Sequence, residues 1–446
     1  MAAEGVVTAG TVTERSREEY VARNLRHNYI LLLIDAVSFP FGISFVSALT
    51  ILPLFVREIT DSSLAVGLVP AITNLGMLLP PLFIANRLER QPLQKWYLFW
   101  MAVIERIPLL LLAALTPWLG RTSPWVLLWV FFACITVHNF AMGLNMPAYF
   151  NLYSKVIPPR RRGSMWGFGG AIGGLLALGG AQLSGILLSR YGFPDAFALC
   201  FLFAFIALTL GIAGFRYVRE LPASEVPPYT PTVRYLRSAP AILRSDTQFG
   251  LFVLSQAVHS FAYMAPAFYT VYALDRFNAT PRTVALFTTV LMAASAIANP
   301  VLGLVADRYG NKLVLQIGML LSVAGPLLAV LAPSLEWMYL VFVFNSIVMA
   351  GSSIGGFNLP LEFAPRPQVP TYTAVAMTGI APIRALVPVI GGVIAGWGYA
   401  PVFWISAVAS ALGLALLTAR VRDPRHNERE RDFTTEDAEH AEIQQV

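Results

Sequence analysis

Residues 283–332 read TVALFTTVLMAASAIANPVLGLVADRYGNKLVLQIGMLLSVAGPLLAVLA, two long apolar runs on either side of one short charged loop. Each run is long enough to cross a hydrocarbon core about 30 Å thick as an α-helix. The loop between them, 307–312, combines charged side chains with a glycine, a composition that separates helices. The stretch therefore predicts two consecutive membrane-spanning helices.

The same pattern recurs along the whole chain of 446 residues, of which 56% are hydrophobic and only 13% charged. Soluble domains carry about 25% charged residues, so a water-soluble fold is excluded. We predict an all-α polytopic membrane protein with twelve transmembrane helices. These are numbered in chain order as spans 1 to 12: 30–56, 64–85, 97–117, 124–148, 164–189, 194–215, 248–273, 283–306, 312–332, 337–359, 371–396 and 399–419.

Lysine and arginine are unevenly distributed among the loops, with 24 on one side of the predicted membrane and 5 on the other. Cytoplasmic loops are enriched in these residues, so both termini are predicted to lie in the cytoplasm, with the protein in the cell membrane. The net charge of +6 comes from these scattered loops rather than from one basic face, which argues against a nucleic-acid partner. Residues 1–28 lack the apolar core and cleavage site of a signal peptide.

An internal repeat divides the chain into two halves. SRYGFPDAF before span 6 matches AGWGYAPVF before span 12, at an offset of 206 residues. Such repeats are typical of secondary transporters, whose substrate site lies near the bilayer midplane. The predicted parts are a cytoplasmic segment, a six-helix bundle, a cytoplasmic linker, a second six-helix bundle and a disordered tail, at 1–28, 29–215, 216–247, 248–420 and 421–446.

The loop after span 8, GLVADRYGNK (303–312), resembles the G-x-L-A-D-R-x-G-R-K signature of the major facilitator superfamily, with Asn311 in place of the second arginine. The resemblance implies two pseudo-symmetric six-helix bundles. It also implies a cytoplasmic gate in which Arg308 pairs with Glu362, while Asp307 faces the start of span 11. The residues assigned to this gate are Gly303, Asp307, Arg308, Gly310 and Glu362. The alternative is that these charges only orient the loop.

The corresponding loop after span 2 departs from the signature. It reads LFIANRLERQ, with Asn86 in the aspartate position and Glu89 in the second glycine position. The gate of the first half is therefore expected to differ from the family pattern.

Four ionisable residues lie inside predicted spans: Asp35, Glu105, Arg106 and Arg384. Charges in the bilayer cost about 2.5 to 3.5 kcal/mol each on insertion scales, so these residues are candidates for proton or ion coupling. Neighbouring helix positions point about 100° apart, so Glu105 and Arg106 are not expected to neutralise each other. At least one should contact span 1 or span 2. A purely structural pairing is the alternative to proton handling.

The family resemblance places spans 1, 4, 7 and 10 around the substrate cavity. Candidate cavity residues are the polar side chains of these spans and of span 5: Ser38, His138, Asn139, Asn145, Gln182, Gln256, His259, Tyr263, Asn345 and Asn358. Three of them, Gln256, His259 and Tyr263, share one helical face. Each can instead be a hydrogen-bonded contact between helices.

These observations predict a secondary active transporter that moves a small solute by alternating access. Asp35 and Glu105 can exchange protons as their surroundings change from wet to dry, which favours proton coupling. The alternatives are a uniporter of a sugar-like or anionic metabolite and a transport-dead sensor or partner subunit. The chain carries no Walker, His-Glu-x-x-His or Gly-x-Ser-x-Gly motif, so no enzyme activity, cofactor or metal is predicted. The expected partners are the solute, protons and the lipid bilayer.

Overall fold

The computed structural model describes residues 14–81, 84, 88, 91, 93–222, 241–364 and 369–423. The predictions for Asn86 and Glu89, and most of the predicted linker and tail, lie outside these residues. The described helices of spans 1 to 12 are, in order, Glu14–Ser44 with Ile51–Ile59, Ser63–Leu78, Lys95–Thr122, Pro124–Val156, Pro159–Tyr191, Asp195–Ala213, Thr247–His259 with Tyr269–Phe277, Pro281–Tyr309, Asn311–Leu331, Glu336–Phe363, Val369–Ala395 and Tyr399–Arg420.

Ten helical segments in the described parts of the chain are long and apolar enough to cross a membrane. Spans 1 and 2 are not among them, because span 1 is interrupted between Ser44 and Ile51 and the described apolar helix of span 2 is short. Span 7 is also irregular, since the 3-10 helix Ser260–Ala267 joins its two α-helices. The all-α polytopic class is confirmed. Cys134 and Cys200 are free and buried, as small core residues.

Contacts between helices divide the chain into two compact units. Unit 1 comprises Met1–Ser47 and Leu75–Thr232, and unit 2 comprises Ala48–Asn74 and Val233–Val446, as far as these ranges are described. The end of span 1 and the first half of span 2, as far as Asn74, therefore pack with the helices of the second half.

Polar contacts attach this early segment within unit 2. The hydroxyls of Thr50 and Thr288 are 2.6 Å apart and buried. Arg57 Nη2 lies 2.9 Å from Asp275 Oδ1, and the Tyr399 hydroxyl donates to Asp275 Oδ2 at 2.7 Å. The junction thus combines a buried hydrogen bond with a partly exposed ion pair.

The start of span 3 is held by a carboxylate that follows span 6. The side chain of Glu220 accepts hydrogen bonds from the backbone N–H groups of Gln94, at 2.8 Å, and Lys95, at 3.0 Å. Lys155 Nζ at the end of span 4 lies 3.1 Å from the same carboxylate. Negative charge at a helix N-terminus is favourable, so Glu220 fixes the ends of spans 3 and 4 together.

The repeat predicted from the sequence has a local counterpart in the backbone. Gly192 in the turn before span 6 has φ +65°, and Gly398 before span 12 has φ +128°. Both conformations favour glycine, which explains why this residue is kept in the two copies of the repeat.

Spans 2 and 4 make a close backbone contact in unit 1. A Cβ atom placed on Gly143 would lie 1.9 Å from the carbonyl oxygen of Gly76, whereas one on Gly179 in span 5 would meet no atom within 4 Å. Gly143 therefore allows the two helices to approach.

We expect Gly143→Ala to destabilise the protein by about 1–3 kcal/mol, because the added methyl group must displace a backbone. Gly179→Ala is the matched control, and it should be neutral or stabilising by up to about 1 kcal/mol through helix propensity. Denaturant unfolding of both variants in the same detergent measures the difference. Equal stability of the two variants would show that the contact between spans 2 and 4 is loose.

Candidate functional site

The charged dipeptide of span 3 forms a buried ion pair in unit 1. Arg106 Nη1 lies 2.9 Å from Glu105 Oε2, and the two residues are 4% and 3% exposed. The prediction that these neighbours do not neutralise each other is wrong. A long arginine side chain can fold back along its own helix, which an argument from the directions of Cβ atoms does not consider.

The ion pair also has partners on other helices. Asn145 Nδ2 of span 4 donates to Glu105 Oε2 at 3.0 Å, and Arg106 Nε donates to the carbonyl oxygen of Leu208 in span 6 at 3.2 Å. His138 Nδ1 donates to the Glu105 carbonyl oxygen at 2.8 Å. The hydrogen bonds of the pair to other helices thus come from spans 4 and 6, while the expected contact with span 1 is an electrostatic interaction with Asp35.

Asp35 of span 1 lies beside this pair. It is 8% exposed, interacts electrostatically with Arg106 and Glu105, and is hydrogen-bonded by the Tyr149 hydroxyl. A Cβ atom on Gly211 of span 6 would lie 2.8 Å from Asp35 Oδ1, so this glycine makes room for the carboxylate. Asp35 makes no ion pair with any described residue.

A cavity of about 350 Å³ within unit 1 is lined by the charged and polar side chains of Asp35, Glu105, Arg106, Asn145 and Tyr149. Its wall combines the charged cluster with aromatic and methionine side chains, including Phe39, Met77, Met142, Met146 and Phe150. A cavity of this size is within the range of small-molecule sites, which are mostly apolar with a few polar groups.

A second polar group lies in unit 2, on spans 7 and 11. The Arg384 guanidinium carbon is 4.9 Å from the centre of the Tyr263 ring, and the rings of Tyr263 and His259 are 5.7 Å apart. His259 Nδ1 is 3.0 Å from Ser410 Oγ of span 12. Gln256, one helical turn from His259, is 1% exposed. The predicted stripe of span 7 is therefore brought together with Arg384.

Four other predicted cavity residues take separate positions. Asn139 Nδ2 donates to the carbonyl oxygen of its own helix at Ile135, at 2.8 Å. Asn345 is buried and contacts Met349 Sδ at 3.9 Å. Gln182 is exposed, and Asn358 is half-buried. Asn139 and Asn345 thus bond within their own helices.

Ser38 is half-buried on span 1. A Cβ atom on Gly211 would lie 3.5 Å from Ser38 Cβ, so this serine packs against span 6 beside Asp35.

The predicted gate of the second half differs in its contacts. Asp307 and Arg308 are exposed, and the predicted ion pair between Arg308 and Glu362 is not formed by these two described side chains. Instead, Asn311 Nδ2 donates to Glu362 Oε1 at 2.7 Å. The residue that departs from the family signature thus donates a hydrogen bond to the carboxylate that the resemblance assigns to Arg308.

The turn of the gate lies at Gly310. Gly310 has φ +96°, as a tight turn requires, whereas Gly303 lies inside the helix Pro281–Tyr309. Gly310 alone therefore makes the turn.

Tyr149 and Asn311 are the site residues that the sequence analysis missed. Tyr149 lies four residues after Asn145 on span 4, so helical periodicity places both on one face, a signal that could have identified it. In the sequence, Asn311 stands out only as a departure from the signature. Its contact with span 10 depends on how the two helices pack.

Ionisable side chains inside membrane-spanning helices, such as those of the Asp35 cluster and Arg384, mark candidate substrate or ion pathways. A family model described as Major Facilitator Superfamily matches residues 34–276 and 252–444. The chain belongs to this family, and the predicted fold of twelve spans in two six-helix halves is confirmed. No curated protein sequence matches the chain.

Solved structures of transporters share the fold. The nucleoside transporter NupG, in a mutant form, is 12% identical with TM-score 0.66, over 89% of this chain and 99% of that one. The xylose transporter XylE from E. coli is 16% identical with TM-score 0.63, over 90% and 98%. A POT family transporter in complex with 5-aminolevulinic acid is 16% identical with TM-score 0.64, over 89% and 96%. The family and these neighbours indicate a transporter and not an enzyme.

Proposed function

We propose that the protein is a secondary active transporter that moves a small solute by alternating access and couples this movement to protons at the Asp35 cluster. The supporting observation is that three buried, neighbouring side chains together have an unbalanced formal charge. Asp35 and Glu105 together carry two negative charges, while Arg106 carries one positive charge, and Glu105 already has Arg106 as its ion-pair partner.

A net charge is costly to enclose in a membrane protein. One proton on the cluster makes it neutral, so enclosure favours the protonated cluster and contact with water favours proton release. Asp35 is the site for this proton, because Glu105 already has Arg106 as its ion-pair partner and accepts a hydrogen bond from Asn145, whereas Asp35 makes no ion pair with a described residue. Tyr149 on span 4 is hydrogen-bonded to Asp35, so a change in the protonation of Asp35 changes a contact between spans 1 and 4.

The proposal places the protein in the cell membrane with both termini in the cytoplasm, as the distribution of lysine and arginine favours. Its partners are the solute, protons and the surrounding lipid. The unit 2 contacts of Arg57 and Asp275 are partly exposed, so they can separate and re-form as the transporter changes conformation.

The test is transport by the full-length protein in proteoliposomes. A panel of solutes is offered with and without an imposed pH gradient, and uptake is compared with protein-free liposomes. Accumulation that requires the gradient is the expected result. Flux that only equilibrates the solute, whatever the gradient, would identify a uniporter instead. Specific binding without flux would identify a transport-dead sensor.

A further inference from the structure

We infer that spans 7 and 11 form a binding site for a small monocarboxylate that also carries an N–H or O–H donor. The inference rests on the proposed transport function and names the class of the solute. It is carried by three side chains of unit 2 that have buried polar atoms without partners: Arg384, His259 and Gln256.

Arg384 is a positive charge in the middle of a membrane-spanning helix. It lies about 22 Å from the start of the helix Val369–Ala395 and about 16 Å from its end, at 1.5 Å per residue. It forms no ion pair with any acidic side chain that the structure describes. A guanidinium cannot lose its proton in a protein, so the charge remains and an anion is the group that would balance it.

The surroundings of Arg384 favour a carboxylate. The Arg384 guanidinium carbon lies over the Tyr263 ring, and Nε is buried without a hydrogen-bond partner. The edge of the guanidinium that includes Nε can therefore donate two parallel hydrogen bonds to one carboxylate. Arg384 is also the sole lysine or arginine well inside spans 7–12, so one unit of charge suits a monocarboxylate better than a phosphate dianion.

The position of His259 favours a solute that carries a hydrogen-bond donor. The Ser410 hydroxyl gives its proton to the carbonyl oxygen of Met319, at 3.0 Å, so it accepts from His259 Nδ1. The neutral ring then carries a lone pair on Nε2, which is buried and has no partner. An N–H or O–H group on the solute would satisfy it.

Gln256 provides both hydrogen-bond types on the same face. Its Nε2 and Oε1 atoms are buried, and neither has a partner. Unsatisfied buried polar groups are costly, so a solute that supplies partners for Gln256 and His259 gains affinity over one that does not.

The test is equilibrium binding to the full-length protein in detergent, by isothermal titration calorimetry without any gradient. The probes are short-chain hydroxy acids, the parent acids that lack the hydroxyl, the neutral hydroxy amides, and inorganic phosphate. The hydroxy acids should bind at least about tenfold more tightly than the other three classes. Absence of binding by every hydroxy acid, or equal binding of the amides, would overturn the inference.

Variants assign the binding to these residues. Arg384→Gln should weaken hydroxy-acid binding at least about tenfold, and Arg384→Lys should restore part of it by restoring the charge. Gln256→Leu should reduce the preference for the hydroxy acid over its parent acid, while carboxylate binding remains. Gln316→Leu in span 9 is the matched control. Unchanged binding in Arg384→Gln would remove the proposed anchor.

The outcomes separate this inference from the proposed function. Proton-driven flux of neutral or cationic solutes, with no carboxylate bound, would reject the carboxylate site and leave proton-coupled transport standing. Carboxylate binding that depends on Arg384, without flux in proteoliposomes, would reject transport and leave the site standing.

Discussion

Asp35→Asn is expected to reduce pH-driven solute accumulation to the level of protein-free liposomes. Asparagine keeps the size of the side chain and its capacity to hydrogen-bond Tyr149, but it cannot take up or release a proton. The neutral side chain mimics the protonated cluster permanently, so the helices can still change conformation. Exchange of labelled for unlabelled solute across the same liposomes should therefore persist, and its rate should no longer depend on pH.

Two controls complete this experiment. Asp35→Glu keeps an ionisable carboxyl group and should retain part of the gradient-driven uptake. Glu58→Gln makes the same chemical change at an exposed carboxylate on the helix Ile51–Ile59, and it should leave uptake unchanged. Accumulation by Asp35→Asn at the wild-type level would show that the proton binds elsewhere or that transport is not proton-coupled.

The class of the protein could be predicted from the sequence because it depends on local properties. The length and polarity of the runs within 283–332 predict two helices without knowledge of their neighbours, and the same reading applies to each span. The signature loop could be recognised for the same reason, since Asp307, Arg308 and Gly310 are close in the chain. The interruptions of spans 1 and 7 could not be predicted, because each reads as a single apolar segment and hydrophobicity does not indicate a local change of helix geometry.

The contacts of the site could not be predicted from the sequence, because they join residues far apart in the chain. Glu105 and Asn145 are 40 positions apart, and their hydrogen bond depends on how spans 3 and 4 pack. The ion pair with Arg106 was missed for a different reason, the flexibility of the arginine side chain. The charges inside the spans stand out in the sequence as unusual residues, but their partners depend on the tertiary structure.

Arg106→Met is expected to destabilise the protein by about 3–5 kcal/mol, because it leaves Glu105 buried without its counter-charge. The double variant Glu105→Gln, Arg106→Met removes both charges, so most of this loss should be recovered. Reversible denaturant unfolding in detergent measures the free energy of unfolding for the wild type, both single variants and the double variant. A loss below about 1 kcal/mol in Arg106→Met would indicate a pair that water reaches, and not the buried pair described here.

The same variants separate structure from coupling at this cluster. Glu105 and Arg106 neutralise each other, so their joint removal leaves Asp35 as the carboxylate that lines the cavity in unit 1. If the ion pair serves only to stabilise the packing of spans 3, 4 and 6, the double variant should keep pH-driven uptake, with its pH dependence shifted because the charges near Asp35 have changed. If the double variant is stable but accumulates no solute, Glu105 takes part in proton binding, and the assignment of the proton to Asp35 alone is wrong.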